Sequence, residues 1–195
     1  MNLFTKNFKI ILASNSKTRK KILKHYGVKF KVEKHNIDER KHIYNDEPVK
    51  TVNVLAKKKA ISIRKKFPNC IIIGSDQILV HNKKILTKPS SKKKAFQNFL
   101  TLRGEKYELL SAIYVLKEGK FFWKTIKSAK LYMKKIKKKQ IKDYINEHEE
   151  TVLSILGSYR VEKDVMNCIS ILKGNMETIQ GFPIENFIRK IKSNI

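Results

Sequence analysis

The chain has 195 residues, room for one ordinary domain, with 41% apolar and 31% charged side chains and only seven Gly and four Pro, which excludes disordered and fibrous classes. A formal net charge of +27 points first to nucleic acid or an anionic surface. Yet only six of the 44 basic residues are Arg, and the lysines scatter among many Ile and Asn, a pattern that AT-rich coding produces without function, so nucleic acid is not expected as the main partner.

FKIILAS (8–14) predicts a short buried strand running into the small polar loop of Ser14, Asn15 and Ser16, with a helix following to about Tyr26. VKFKVE (28–33) reads as a second strand, and Pro48 suits the first turn of a long helix reaching about Phe67. CIIIGSD (70–76) is a buried strand that delivers Asp76 at its carboxyl end, and QILV continues past it. A helix over 90–102 places Ala95, Phe96, Phe99 and Leu100 on one face. Strands near 106–116 and 121–134 follow, the first leaving through a turn at Gly119. A helix over about 138–148, a strand in CISIL (168–172) and a closing helix striped by Ile184, Phe187, Ile188 and Ile191 complete the pattern. No repeat or flexible linker interrupts it. The interleaving predicts a single α/β domain over 1–195: a mixed twisted sheet flanked by helices, two-lobed, with its ligand beyond the carboxyl ends of strands.

No apolar run approaches the roughly 20 residues of a membrane span, and the amino-terminal segment lacks the apolar length and cleavage pattern of a signal peptide. A cytoplasmic protein without a membrane partner is therefore expected. Cys70 and Cys168 stand singly in apolar runs, as buried thiols rather than zinc ligands or a disulfide framework.

Two cations fall where helical spacing calls for apolar residues. Arg19 shares a face with Ile22, Leu23 and Tyr26; Lys59 lies in the stripe of Val52, Leu55, Ala56, Ile63 and Phe67, while Lys57 and Lys58 diverge. A desolvated cation needs an anion, either a ligand or a structural partner. A Lys59 that serves only a ligand would be dispensable for stability, and Lys59→Met would then melt at the same temperature or higher. Ser14 and Ser16 precede a helix whose free N–H groups favour a phosphate, although ordinary capping explains one serine equally well. Asp76 follows Gly74 and Ser75, whose small size leaves room for a bulky ligand or metal against the backbone. Asp38 and Glu39 add carboxylates of the kind Mg²⁺ takes together with substrate phosphates, and Lys88, held before Pro89, adds positive charge. Together these residue types make a phosphoryl-transfer or phosphate-hydrolysis site.

The same residues carry a family resemblance. ILASNSKTRKKIL resembles the opening LAS-x-S-P-x-R motif of the Maf proteins, a family of nucleoside triphosphate pyrophosphatases named for an inhibitory effect on septum formation. NIDE resembles their D-x-D-E segment, LAKKKA the L-A-x-x-K-A helix, GSDQ the G-A/S-D-T/Q motif, and TKP the G-K-P motif; GSYRVE and QGFPI resemble the late motifs. Each is short, but their shared order makes the assignment specific. The resemblance implies a Maf-like fold with a nucleotide cleft, and hydrolysis of a nucleoside triphosphate to the monophosphate and pyrophosphate with a divalent cation, Mg²⁺ or Mn²⁺. It implies Asp76 as the catalytic base sharing the metal with Glu39, and Ser14 and Arg19 on the triphosphate with Ser16 supporting the loop. Lys59 and Lys88 would neutralise phosphate charge, and Gln77 and Glu162 would complete the substrate contacts. Gln77 and Glu162 resemble the branch favouring 7-methyl-GTP, or related branches of broad specificity, and a homodimer stays open. Thr18 stands where many members have a first Arg, Lys17 where Pro is common, Asn36 where the acidic segment begins, and Lys163 where Gly is usual. The alternative is a catalytically weak basic protein that binds nucleic acid or a division partner on the same scaffold; Asp76, a carboxylate that repels phosphates amid cations, argues against it.

Overall fold

A computed structural model describes residues 9–193; Phe8, the expected start of the first strand, lies outside them, as do the last two residues of the expected domain. Its elements are β1 (Lys9–Leu12), α1 (Lys17–His25), β2 (Phe30–Val32), α2 (Pro48–Ser62), β3 (Cys70–His81), β4 (Lys84–Leu86) and α3 (Lys92–Leu102). There follow β5 (Lys106–Lys117), β6 (Lys120–Met133), α4 (Lys138–Glu147), α5 (Glu149–Ser154), β7 (Ile169–Lys173), α6 (Met176–Ile179) and α7 (Glu185–Ser193). The seven strands form one sheet in the order β2-β1-β3-β5-β6-β7, with β4 paired to β3. β1 is parallel to both β2 and β3, because α1 and α2 carry the chain back across the sheet, while the remaining pairs are antiparallel. The expected mixed sheet flanked by helices is what forms.

Three apolar cores hold the layers. α2 lays Val52, Ala56 and Ala60 on one face of the sheet against Ile72, Ile78, Leu110 and Ala112. On the opposite face Leu23 of α1 and Phe182, Phe187 and Ile188 near the chain end cover Ile71, Ile73, Ile113 and Val115. Beyond the helix α2 end, α3 and α4 pack Phe99 and Tyr144 against Leu79, Leu109 and Leu131, making the second lobe. Phe99 is fully buried, and burying such a side chain contributes about 1.5–3 kcal/mol, so this lobe is anchored by packing beneath its lysine-rich outer face. No helix among the described residues is long and apolar enough to cross a membrane.

The departures from expectation have local causes. α2 ends at Ser62 rather than near Phe67: the chain tightens into turns, with Lys66 N–H donating to Ile63 O and Phe67 N–H to Arg64 O, and Pro68 bars Phe67 from the helical region. β2 keeps only three of the six residues expected of it. The buried face of α3 is Ala95, Asn98, Phe99 and Leu102, and Leu100 is exposed; polar Asn98 hides the stripe because its side chain is spent on Thr87 O. β4 was not expected at all. It returns from β3 through Asn82 and Lys83, both at positive φ (48° and 64°), the backbone of a tight hairpin turn. Gly74 does not leave room for a ligand or metal. A Cβ there would lie 2.2 Å from Ala56 O and 2.7 Å from Ala60 N, so its missing side chain lets α2 sit directly on β3. That contact sets Lys59 beside Asp76.

Candidate active site

β1 ends in the loop that begins α1. Ser16 caps the helix, its Oγ accepting from Arg19 N–H (3.4 Å), and buried Ser14 accepts from Ser16 N–H (3.2 Å). The Arg19 guanidinium folds back over this loop. Its Nη1 donates to Ser14 Oγ (3.2 Å) and Ser75 O (2.9 Å), and its Nε donates to Gly181 O (3.3 Å). All three acceptors are uncharged, so the cation is held in place without a carboxylate on it. Burial lowers its pKa while the charges of Asp76 and Glu39 oppose that shift, and an arginine stays protonated regardless.

From the other side α2 contributes Lys59, 4% exposed, whose Nζ donates to Asp76 Oδ1 (2.5 Å) and Glu39 Oε1 (2.9 Å). The anion that this desolvated lysine requires is thus supplied by the protein itself. Asp76, 5% exposed on β3, has its carboxyl pKa raised by burial, with Lys59 and Arg19 pulling it back only in part. For Glu39, at the start of a short 3₁₀ turn (Glu39–His42), burial also acts upward, but Lys59, through charge and hydrogen bond, then His35 and Lys88, hold it below the usual range. Lys88 has its own pKa lowered, by desolvation first and by Arg19 next.

Because both carboxylate oxygens touch one ammonium, they cannot be farther apart than those two contacts allow. A hard cation takes one or two carboxylates plus waters and phosphate oxygens, and Asp76 with Glu39 fit such a donor set. Among the described residues no cluster of three or more His, Cys, Asp or Glu side chains gathers, so substrate oxygens would have to complete the shell.

The candidate catalytic, substrate and metal residues Ser14, Ser16, Arg19, Glu39, Lys59, Asp76, Gln77, Lys88 and Glu162 all line one cleft of 1090 Å³, which runs from Ser14, Arg19, Lys59 and Asp76 to an apolar end formed by Leu79, Tyr107, Leu109, Leu156, Tyr159 and Val161. Its size suits a nucleotide-sized ligand. Glu162 is exposed at that apolar end, in a short 3₁₀ turn, and forms no ion pair among the described residues, including with Arg160 or Lys163. Gln77 lines the cleft too, but its amide Nε2 donates to Ser111 Oγ (3.1 Å), Thr178 O (3.0 Å) and Ile179 O (2.9 Å). His35 was not anticipated. Its Nε2 lies 3.5 Å from Glu39 Oε1, its Nδ1 is buried without a partner, and burial followed by the charge of Lys59 lowers its pKa and favours the neutral ring. The available signal was its place just before the acidic segment.

A family model described as Maf-like protein matches residues 9–194. The chain is 33% identical over 187 residues to the 7-methyl-GTP pyrophosphatase of Bartonella quintana (strain Toulouse), covering 94% of each chain. It is 29% identical over 188 residues to the nucleoside triphosphate pyrophosphatase of Pelagibacter ubique (strain HTCC1062), covering 94% of this chain and 96% of that one. A 7-methyl-GTP pyrophosphatase of Brucella abortus is 29% identical over 189 residues, with 94% and 95% covered.

Proposed function

From the premise that this chain belongs to the Maf-like protein family, we propose that it is a nucleoside triphosphate pyrophosphatase, an acid-anhydride hydrolase that cleaves (d)NTPs, 7-methyl-GTP among them, to the monophosphate and pyrophosphate. The observation that carries this reading is the buried pair of Lys59 and Asp76, with the exposed Glu39 on the same ammonium, beside a rigidly held Arg19 at one end of a cleft whose other end is apolar. Arg19 and Lys88 hold the phosphates, with the Ser14–Ser16 loop beneath them. Asp76 orients a water in line with the α-phosphorus and accepts its proton; a carboxylate made more basic by burial is suited to that. Lys59 fixes the rotamer of Asp76 and keeps it ionised. Asp76 and Glu39 would hold a divalent cation such as Mg²⁺ or Mn²⁺, which would supply charge neutralisation at the phosphates and a lower pKa for water. We take the chain as one Maf-like domain acting in the cytoplasm; its single sheet and its two buried free thiols support that reading.

The test is pyrophosphate release from a panel of GTP, 7-methyl-GTP, UTP and dTTP, with Mg²⁺ or Mn²⁺ and after chelation. Metal-dependent release of pyrophosphate with the monophosphate is the expected result. Orthophosphate as the only inorganic product, or no turnover of any member, overturns the assignment.

Glu162 gives a narrower expectation for the base. A carboxylate only accepts hydrogen bonds, so it favours guanine, which presents N1–H and an exocyclic amino group on one edge, and favours cationic N7-methylguanine further. Uracil and thymine offer one N–H between two carbonyls. Glu162→Gln shifts relative kcat/KM from guanine nucleotides towards UTP or dTTP by about tenfold, the scale of one hydrogen bond to a charged group. An unchanged order of preference across the panel removes Glu162 from base recognition.

A further inference from the structure

The 178–181 segment, in which α6 ends, is held largely by side chains that the proposed reaction does not use. Gln77 follows Asp76 on β3 and pairs in register with Ser111 on β5, placing the two side by side. Ser111 is fully buried in an otherwise apolar stretch between Leu110 and Ala112. Its hydroxyl accepts from Gln77 Nε2 (3.1 Å) and donates to Thr178 O (2.8 Å), while Gln77 Nε2 also reaches Thr178 O and Ile179 O. Two residues on, Gly181 O receives Ser75 Oγ (3.1 Å) and Arg19 Nε (3.3 Å). Gly181 has φ +81°, and a Cβ on it would lie 2.9 Å from Gln77 Oε1, so the glutamine packs directly against the turn that presents this carbonyl. A hydroxyl at position 111 is costly to bury unless bonded, and both of its bonds serve this one segment.

The geometry points to Gln77 and Ser111 as a positioning pair that fixes the 178–181 turn, and through Gly181 O sets the direction of the Arg19 guanidinium. Arg19 then presents its remaining N–H groups to the triphosphate without paying to reorganise when the ligand arrives. This spends the donors of Gln77 on the protein, because an amide nitrogen has two hydrogens and here three protein acceptors share them, and leaves its Oε1 as the atom that could meet a ligand. The ligand is that of the pyrophosphatase reading, on which this inference rests, but the positioning itself belongs to the free protein. Since Arg19 faces phosphates and not the base, loss of the pair weakens every nucleotide by the same factor.

Ser111→Ala and Ser111→Thr in the full chain test the idea. In the ligand-free protein, the Arg19 Nε–H resonance is slow to exchange in the wild type and in Ser111→Thr, which keeps the hydroxyl, and that protection is lost in Ser111→Ala. Calorimetric affinity for inorganic triphosphate falls about tenfold in Ser111→Ala, and KM for GTP and UTP rises by the same factor with kcat changed less. In an Arg19→Lys background Ser111→Ala adds little, because the shared element is already broken. Unchanged Arg19 protection and triphosphate affinity in Ser111→Ala, even with a lower melting temperature, overturn the positioning role. So does a change confined to base preference. A wild type that binds triphosphate but releases no pyrophosphate overturns the pyrophosphatase reading and leaves the binding comparison to decide the positioning role.

Discussion

Asp76→Asn keeps the fold and lowers kcat by at least about a hundredfold, the lower end for a lost general base. Asn is nearly isosteric and can still accept from Lys59 Nζ, so the contact between α2 and β3 survives; what disappears is the proton acceptor and one anionic ligand. Stability moves the other way. Folding raises the Asp76 pKa above its ordinary value of 3.8, so the native state binds that proton more tightly than the unfolded chain does. Stability contributed at this site is therefore lost as pH rises from 3.8 through the folded pKa, and the ionised wild type carries the cost of a buried carboxylate. Asn carries none of it, and the melting temperature of Asp76→Asn at pH 7 equals or exceeds that of the wild type. Single-turnover pyrophosphate release and thermal denaturation between pH 5 and 8 measure both quantities. A variant that turns over near the wild-type rate with its circular dichroism intact removes Asp76 from the chemistry.

The parts legible in the sequence are those where one local pattern fixes the outcome. β3 is buried on both faces, and CIIIGSDQILV shows it as two apolar runs, CIII and ILV, on either side of a short polar stretch whose single carboxylate had to be accounted for. Arg19 and Lys59 were legible for the opposite reason, as charges at positions where helical spacing demands apolar side chains. The stripe of α3 was misread because Asn98 occupies a core position and pays for it with a backbone bond to Thr87, a partner that no periodicity reveals. The role of Gln77 was hidden more deeply. Its acceptors lie 34, 101 and 102 residues away, brought beside it by the β3–β5 register and by the return of the chain through α6. The meaning of Gly74 depended likewise on which body approaches it: sequence predicts a gap, and α2 fills it.

Lys59→Met destabilises the protein at neutral pH, against what a lysine serving only a ligand would do. Nζ is the direct partner of both Asp76 and Glu39, and removing one member of a buried pair while the other stays ionised costs about 3–5 kcal/mol. Asp76 has a cheaper course. Already pushed upward by burial and now without its strongest opposing charge, it takes up a proton, so its uncompensated charge costs no more than about 1.4 kcal/mol for each pH unit by which the working pH exceeds the ordinary value of 3.8. The variant therefore regains stability as pH is lowered through that raised pKa, and the acid limb of its kcat profile moves to higher pH. At pH 7 kcat falls because a larger share of the base is protonated, with partial recovery in alkaline buffer. Adding Asp76→Asn to Lys59→Met restores the melting temperature but not the turnover, a non-additivity expected only of groups in contact. Melting curves and kcat profiles of both single variants and the double variant supply the measurement. If Lys59→Met melts with the wild type at pH 7 and its acid limb stays in place, the ammonium does not govern Asp76, and the lysine acts on the phosphates alone.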